Sequence, residues 1–292
     1  MLLPHTFDKR FMTYNELLHW ARVELSVLYT AEEVRMLLRY WADDCDANLY
    51  TKLLSDPSLA LDDPHQNSAR SYVQALKSGK PYQYVLGTSW FRGLALEVAE
   101  GVLIPRPETE ELVEWICATY PIDSSLTILD LGTGSGCVAI SLAQHFRRAK
   151  IHAIDLSTSA VACAQRNTAK HQVRVGVERA DLFEYNANCS YDVIVSNPPY
   201  VRRSEKEDME AKVLDHEPHE ALFVSDNDPL VYYRHIVDWS FNALNENGVL
   251  FLEINENFGA EVQFLCRHYA HVELRNDFRG KPRMIQAKKR VL

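Results

Sequence analysis

From Pro105 onward, apolar runs of strand length alternate with helical patterns, and this alternation narrows the possible folds more than any other feature of the chain. The runs are Thr127 to Leu131, Ile151 to Asp155, Val173 to Val177, Tyr191 to Ser196, Gly248 to Ile254, Val272 to Asn276 and Met284 to Lys288. Helical patterns, including Ser159 to Lys170 and Leu230 to Leu244, fill the gaps. Continuously apolar strands are buried on both faces, and connections that hold a helix join parallel neighbours. The expected class is therefore α/β, with a largely parallel sheet covered by helices on both sides.

The chain upstream reads differently. From Thr13 to about Lys77 the pattern is helical: Thr13/Glu16 and Thr30/Glu33 have capping-box spacing, and Val34, Leu37, Leu38 and Trp41 mark one helix face. Three short runs follow, Tyr84-Val85-Leu86, Phe91 to Val98 and Val102-Leu103-Ile104, which read as strands of a hairpin linker. The expected organisation is a helical domain at 1–80, a β-hairpin linker at 81–104 and the α/β domain at 105–292.

Within that domain, Ile128-Leu129-Asp130-Leu131 enters the turn Gly132-Thr133-Gly134-Ser135-Gly136, which opens a helix. Three glycines let the backbone adopt positive φ and pass close to a ligand, and the helix N-terminus offers free N–H groups. The next run ends at Asp155, where an acid can accept hydrogen bonds from a ribose diol. Two cofactor classes fit, a dinucleotide and S-adenosylmethionine. Position 137 is Cys where the dinucleotide fingerprint has a third Gly or Ala, which favours S-adenosylmethionine. Asp181 and Leu182, after the third run, would take the adenine amine and ring.

The run Tyr191 to Ser196 is stopped by Asn197-Pro198-Pro199-Tyr200. Two prolines lack two backbone donors and hold the chain extended, so nearby carbonyls must turn to water or to a ligand.

Composition excludes several classes. Acids outnumber bases 40 to 31, for a formal charge of -9, which weighs against a general nucleic-acid binder. The six cysteines contain no C-x-x-C, and His216-Glu217-Pro218-His219 is not H-E-x-x-H, with Pro218 forbidding the helix such a site needs. No metal is expected. The N-terminal decapeptide has no apolar core and no stretch approaches membrane-spanning length, so a cytoplasmic protein with reduced thiols is expected.

The blocks Pro81-Tyr82-Gln83-Tyr84-Val85-Leu86-Gly87, Ile104-Pro105-Arg106-Pro107-Glu108-Thr109-Glu110, Asp130 to Gly136, Asn197-Pro198-Pro199-Tyr200 and Glu217-Pro218-His219-Glu220 together resemble one family. It is the protein-(glutamine-N5) methyltransferases of the HemK type, within the class I Rossmann-like S-adenosylmethionine methyltransferases, which modify peptide chain release factors. The resemblance implies a seven-stranded sheet whose last strand is antiparallel, a helical module that docks substrate, and a substrate glutamine in a Gly-Gly-Gln loop. It also implies that Asn197, beside the cofactor, and Pro198 hold the substrate amide, with Pro199 adjoining and Tyr200 packing its ring against it. Arg106 and Glu108 are candidates for substrate contact, although Pro107 and the following acids equally suit the first turn of a helix. N-P-P-Y alone also suits enzymes that methylate base amino groups, so a nucleic-acid amino-methyltransferase, a ribosomal-protein glutamine target and a module that only binds partners stay open. One block departs from the family: Glu253-Ile254-Asn255-Glu256-Asn257-Phe258-Gly259 stands where E-I-G-x-x-Q-G is usual. The polar run Arg202 to Asp208 is expected to be a solvated, mobile loop that, lying beside N-P-P-Y, could order over a bound substrate.

Overall fold

A computed structural model describes residues 12–187 and 189–290, so the N-terminal segment that informed the targeting expectation lies outside the described residues. The chain divides into two compact units, one ending at Gly87 and one beginning at Thr88.

The first unit is helical: α1 (Tyr14–Glu24), α2 (Ala31–Cys45), α3 (Leu49–Ser55), α4 (Asp63–Lys77) and α5 (Tyr82–Leu86). Both capping boxes form, each threonine accepting from the N–H of the glutamate three residues on while that glutamate returns to the threonine N–H. Leu17, Val34, Leu38, Trp41, Leu53 and Val73 form its core. Buried polar tips are satisfied, with Trp41 Nε1 donating to Ser68 Oγ at 3.1 Å and Tyr72 Oη to the Leu37 carbonyl at 3.0 Å.

The expected hairpin linker is redistributed. Tyr84-Val85-Leu86 is helical rather than extended, since Pro81 starts a short helix that Gly87 ends at φ 70. Phe91 to Val98 is not one strand. The chain reverses at Arg92-Gly93, φ 47 and 77, between β1 (Thr88–Phe91) and β2 (Leu94–Glu97), a two-residue turn of the primed kind. Val102-Leu103-Ile104 joins no strand; a side chain, the Glu217 carboxylate, accepts from the Ile104 N–H at 3.2 Å. Residues 81–87 thus fall in the helical unit, whereas Phe91 and Leu96 of the hairpin are buried in the core of the second.

The second unit continues with α6 (Pro107–Thr119), β3 (Thr127–Leu131), α7 (Cys137–His145), β4 (Lys150–Asp155), α8 (Thr158–Lys170), β5 (Val175–Arg179) and β6 (Tyr191–Ser196). Then come β7 (Val201–Arg202), α9 (Ala211–His216), α10 (His219–Leu222), β8 (Phe223–Val224), α11 (Val231–Ala243), β9 (Leu244–Glu253), α12 (Gly259–Leu265), β10 (His271–Asn276) and β11 (Pro282–Lys288). The main sheet has seven strands in the order β10-β11-β9-β6-β3-β4-β5. Among the described residues only β11 opposes the others, so the last strand is antiparallel as expected.

Alternation along each central strand shows why the sheet needs two covers. Ile128, Val193, Val195 and Phe251 pack on one face with α6 and α7; Leu129, Ile194, Leu250 and Leu252 pack on the other with α11 and α12. From β3 the chain winds outward through β4 and β5, then returns to build β6 and β9 on the other side. That reversal opens a crevice at the carboxyl edge between β3 and β6, where ligands bind in open α/β sheets.

Asn167 of α8 ties the hairpin to the glycine turn. Its Nδ2 donates to the Glu97 and Ser135 carbonyls at 2.9 Å each, and its Oδ1 accepts from the Glu97 N–H at 2.7 Å, with the side chain wholly buried. Asn167→Ala orphans the Glu97 N–H and the Ser135 carbonyl, while the Glu97 carbonyl keeps the Cys163 thiol at 3.1 Å, and at about 1–3 kcal/mol for each group left dry the variant is expected to unfold at clearly lower urea than the wild-type chain.

Candidate active site

A cavity of about 540 Å³ lies at that carboxyl edge. Gly132 and Gly134 after β3, Asp155 and Leu156 after β4, Asp181 and Leu182 after β5, and Asn197, Pro198 and Pro199 after β6 all line it. Four strands that are distant in sequence therefore aim their exit loops at one space. The volume lies in the range typical of small-molecule sites.

The glycines divide the work. Gly132 and Gly134 sit at φ 74 and 57, and a Cβ added to either would meet nothing within 4 Å, so a ligand can approach the backbone there. Gly136, at φ 83, is packed instead: a Cβ would lie 3.0 Å from Ile140 Cδ1 and 3.2 Å from Ala164 Cβ. It allows α7 to start close against α8. Thr133, Ser135 and Gly136 do not line the cavity. Thr133 Oγ1 donates to Asp130 at 2.6 Å, and the Ser135 carbonyl is held by Asn167.

Asp155 Oδ2 accepts from the Gly134 N–H at 2.8 Å and Oδ1 from the Ser157 N–H at 2.9 Å. Burial raises this carboxyl, while those N–H groups pull it back down. Each oxygen keeps acceptor capacity towards the cavity, as a diol requires. Asp181 Oδ1 accepts from the Phe183 N–H at 2.9 Å, a turn bond that leaves the other oxygen for a ligand. Acceptors at two points, apolar Leu156 and Leu182 walls and an open glycine turn suit the adenosine part of S-adenosylmethionine.

Around N-P-P-Y the carboxamide of Asn197 is held from behind. Its Nδ2 donates to Thr109 Oγ1 at 3.1 Å, Thr109 Oγ1 donates to Glu253 Oε2 at 2.6 Å, and Tyr200 Oη donates to Glu253 Oε1 at 2.9 Å. Glu253 ends β9 and is fully buried. Burial raises its pKa, and the hydrogen bonds from Thr109 and Tyr200, with the nearby Arg283 charge, oppose that rise. Tyr200 titrates far above its ordinary range because it is buried beside that carboxylate, so it remains a donor. Tyr200 is not on the cavity wall.

Arg106 and Glu108 also lie off the wall. Arg106 Nη2 pairs with Glu217 Oε1 at 2.6 Å, joining two of the sequence blocks, and Glu108 faces Arg279 at 3.9 Å from the first turn of α6. The departing block has a structural part. Asn255 Nδ2 donates to the Tyr200 carbonyl at 3.0 Å and to Glu205 Oε2 at 3.2 Å, and Asn257 Nδ2 donates to Glu205 Oε1 at 3.1 Å. Arg202 adds two more bonds to Glu205, so the segment expected to be a loose loop is clasped by this chain's own asparagines.

Thr109, Glu217, Glu253 and Asn255 stand inside the sequence blocks named above but without a part in the expected site; the one available signal is Glu253, an acid inside an apolar strand run. A charge there needs buried partners.

Comparison with known proteins shows the family. The family described as methyltransferase small domain matches residues 109–224. A release factor glutamine methyltransferase of Flavobacterium psychrophilum is 45% identical over 240 residues, 80% of this chain and 84% of that protein. One from Bacteroides thetaiotaomicron is 38% identical over 277 residues, 94% of this chain and 99% of that protein. A solved methyltransferase from Pyrococcus furiosus shares the fold, with a TM-score of 0.50 at 17% identity over 68% of this chain and 91% of that one.

Asp130, below the glycine turn, is buried, and burial pushes its pKa from 3.8 up to about 7 against hydrogen bonds from Thr133 and Ala139 and with the Asp155 charge adding to the rise. The folded protein therefore keeps a proton that the unfolded chain has released, and this contribution to stability is full below 3.8 and lost as pH rises through about 7. Asp130→Asn stays neutral, so its unfolding midpoint is expected to change less with pH across that window than that of the wild type.

Proposed function

The chain belongs to the release factor glutamine methyltransferases, and from that premise we propose that it methylates the side-chain amide nitrogen of the glutamine in a release factor's Gly-Gly-Gln loop. The cofactor is S-adenosylmethionine, which when bound supplies a methyl group activated by its sulfonium. Gly132, Gly134, Asp155, Asp181 and Leu182 would hold it.

One observation carries the reading. Asn197 and Pro198 end a strand on the wall shared with the glycine turn and Asp155, with Asn197 Nδ2 already engaged by Thr109 and its Oδ1 without a hydrogen bond among the described residues. An amide nitrogen is a poor nucleophile because its lone pair is delocalised, so it must be oriented and desolvated. Asn197 Oδ1 and the Pro198 carbonyl each accept one N–H of the substrate amide, which aims the lone pair into the cavity. These acceptors strengthen as positive charge develops on nitrogen. The nitrogen then gives up one proton to water, so no strong base is required.

Tyr200 acts from the side. Its hydroxyl is bonded to Glu253, which sets the course of the chain just past Pro199. Arg106 keeps the Ile104 to Thr109 block against the Glu217 segment, so its part, and that of Glu108 beside it in the chain, is read as holding that block rather than touching the cofactor. The helical unit is read as the docking module for the protein substrate, on its place in the chain ahead of the catalytic unit and on the family likeness. All six cysteines are free, and among the described residues no helix is long and apolar enough to cross a membrane. Together with the partner's role in translation this supports a cytoplasmic enzyme. The acid excess argues against direct nucleic-acid binding.

Labelled S-adenosylmethionine is incubated with the protein and, separately, release factor, its loop Gln→Ala variant, ribosomal protein and DNA. Label only in intact release factor is the expected result; label in DNA or in the Gln→Ala variant would overturn the reading. Asn197→Ala is expected to lower turnover of release factor at least about 100-fold, the scale of losing one preorganised polar contact at the reacting centre.

A further inference from the structure

We infer that Thr109 and Glu253 decide which way round the Asn197 carboxamide sits, and so are positioning residues for methyl transfer. The inference rests on the reading above, in which Asn197 Oδ1 accepts an N–H of the substrate amide.

A carboxamide has nearly the same shape in its two flipped orientations, but they have opposite chemistry. With Oδ1 towards the substrate nitrogen, Asn197 accepts a proton; with Nδ2 there, donor meets donor and the amide is repelled. Shape alone gives little preference, so a partner at the back must choose. Thr109 is that partner, at 3.1 Å.

A threonine hydroxyl is itself ambiguous, since it both donates and accepts. Glu253 removes the ambiguity. Its two carboxylate oxygens are occupied by two different hydroxyls, Thr109 Oγ1 at 2.6 Å and Tyr200 Oη at 2.9 Å. A carboxylate only accepts, so the Thr109 proton points to Glu253 and its lone pairs are left for Asn197. Only Nδ2 can use them. The direction of donation thus runs from Asn197 to Thr109 to Glu253, and Oδ1 is left on the substrate side.

The same carboxylate holds Tyr200, three residues further on, so one buried charge sets both ends of N-P-P-Y. Thr109 lies in the first turn of α6 and Glu253 at the end of β9, 144 residues apart in the chain. Neither lines the cavity. Each acts through Asn197 rather than on substrate.

Steady-state methylation of release factor is measured for wild type, Thr109→Val, Thr109→Ser and Glu253→Gln, with thermal unfolding of each. Thr109→Val has the same shape without the hydroxyl and is expected to lower kcat by about 10- to 100-fold, the usual range for removing a group that orients a reacting one, with KM within about twofold. Thr109→Ser restores the hydroxyl and is expected to recover most of kcat. Glu253→Gln keeps one acceptor, which its carboxamide can turn to Thr109, and is expected to lower kcat by less than Thr109→Val. A folded Thr109→Val with wild-type kcat overturns the inference, as does a Thr109→Ser no better than Thr109→Val. If Thr109→Val melts at the assay temperature, all variants are compared at a temperature below its unfolding transition. Failure of the wild-type protein to label release factor would instead overturn the functional reading beneath it.

Discussion

The catalytic unit is organised around one buried carboxylate. Glu253 has no exposure to solvent, and an ionised group in such a place is stable only when charge and hydrogen bonds replace the lost water. Thr109 from α6, Tyr200 from the end of N-P-P-Y and the charge of Arg283 from β11 supply that replacement. Three segments far apart in sequence must therefore converge on the exit of β9. Through Thr109 the same network reaches the Asn197 amide at the edge of the cavity.

The sheet explains why the cavity is there at all. Winding outward from β3 through β4 and β5 and then returning to β6 leaves the loops after β3 and β6 diverging, with empty space between them. The loops are short and differently braced. The glycine turn is held by Asn167 from the α8 side, Asp155 by two backbone N–H groups, and the segment after Tyr200 by Asn255, Asn257 and Arg202 through Glu205. Pre-formed loops lose little conformational entropy on binding, which favours a site that waits for its ligands rather than folding around them.

Several elements were readable without coordinates because their signals are local. Thr13 and Thr30 mark helix starts through their glutamates three residues on. The Ile128 to Gly136 segment reads as strand, turn and helix because apolar β-formers give way to glycines at positive φ. Where the reading failed, the deciding partner was remote. Val102 to Ile104 is as apolar as a strand but finds a glutamate 113 residues away instead of a neighbouring chain. Tyr84 to Leu86 is β-prone in composition, yet Pro81 and Gly87 frame a helical turn. The Arg92-Gly93 reversal hid because a positive φ at arginine has no compositional mark.

The sequence by itself determined the class of fold, because periodicity, glycine turns and proline breaks act over a few neighbouring residues, and its longer blocks carried the family resemblance together with a set of candidate site residues. Tertiary structure alone decided how those residues are held. It turned Tyr200 towards Glu253, paired Arg106 with Glu217, and used Asn255 and Asn257 to clasp the segment after N-P-P-Y. Hydrogen bonds between side chains 50 to 144 positions apart leave no periodic trace, since each depends on where a strand and a helix happen to end.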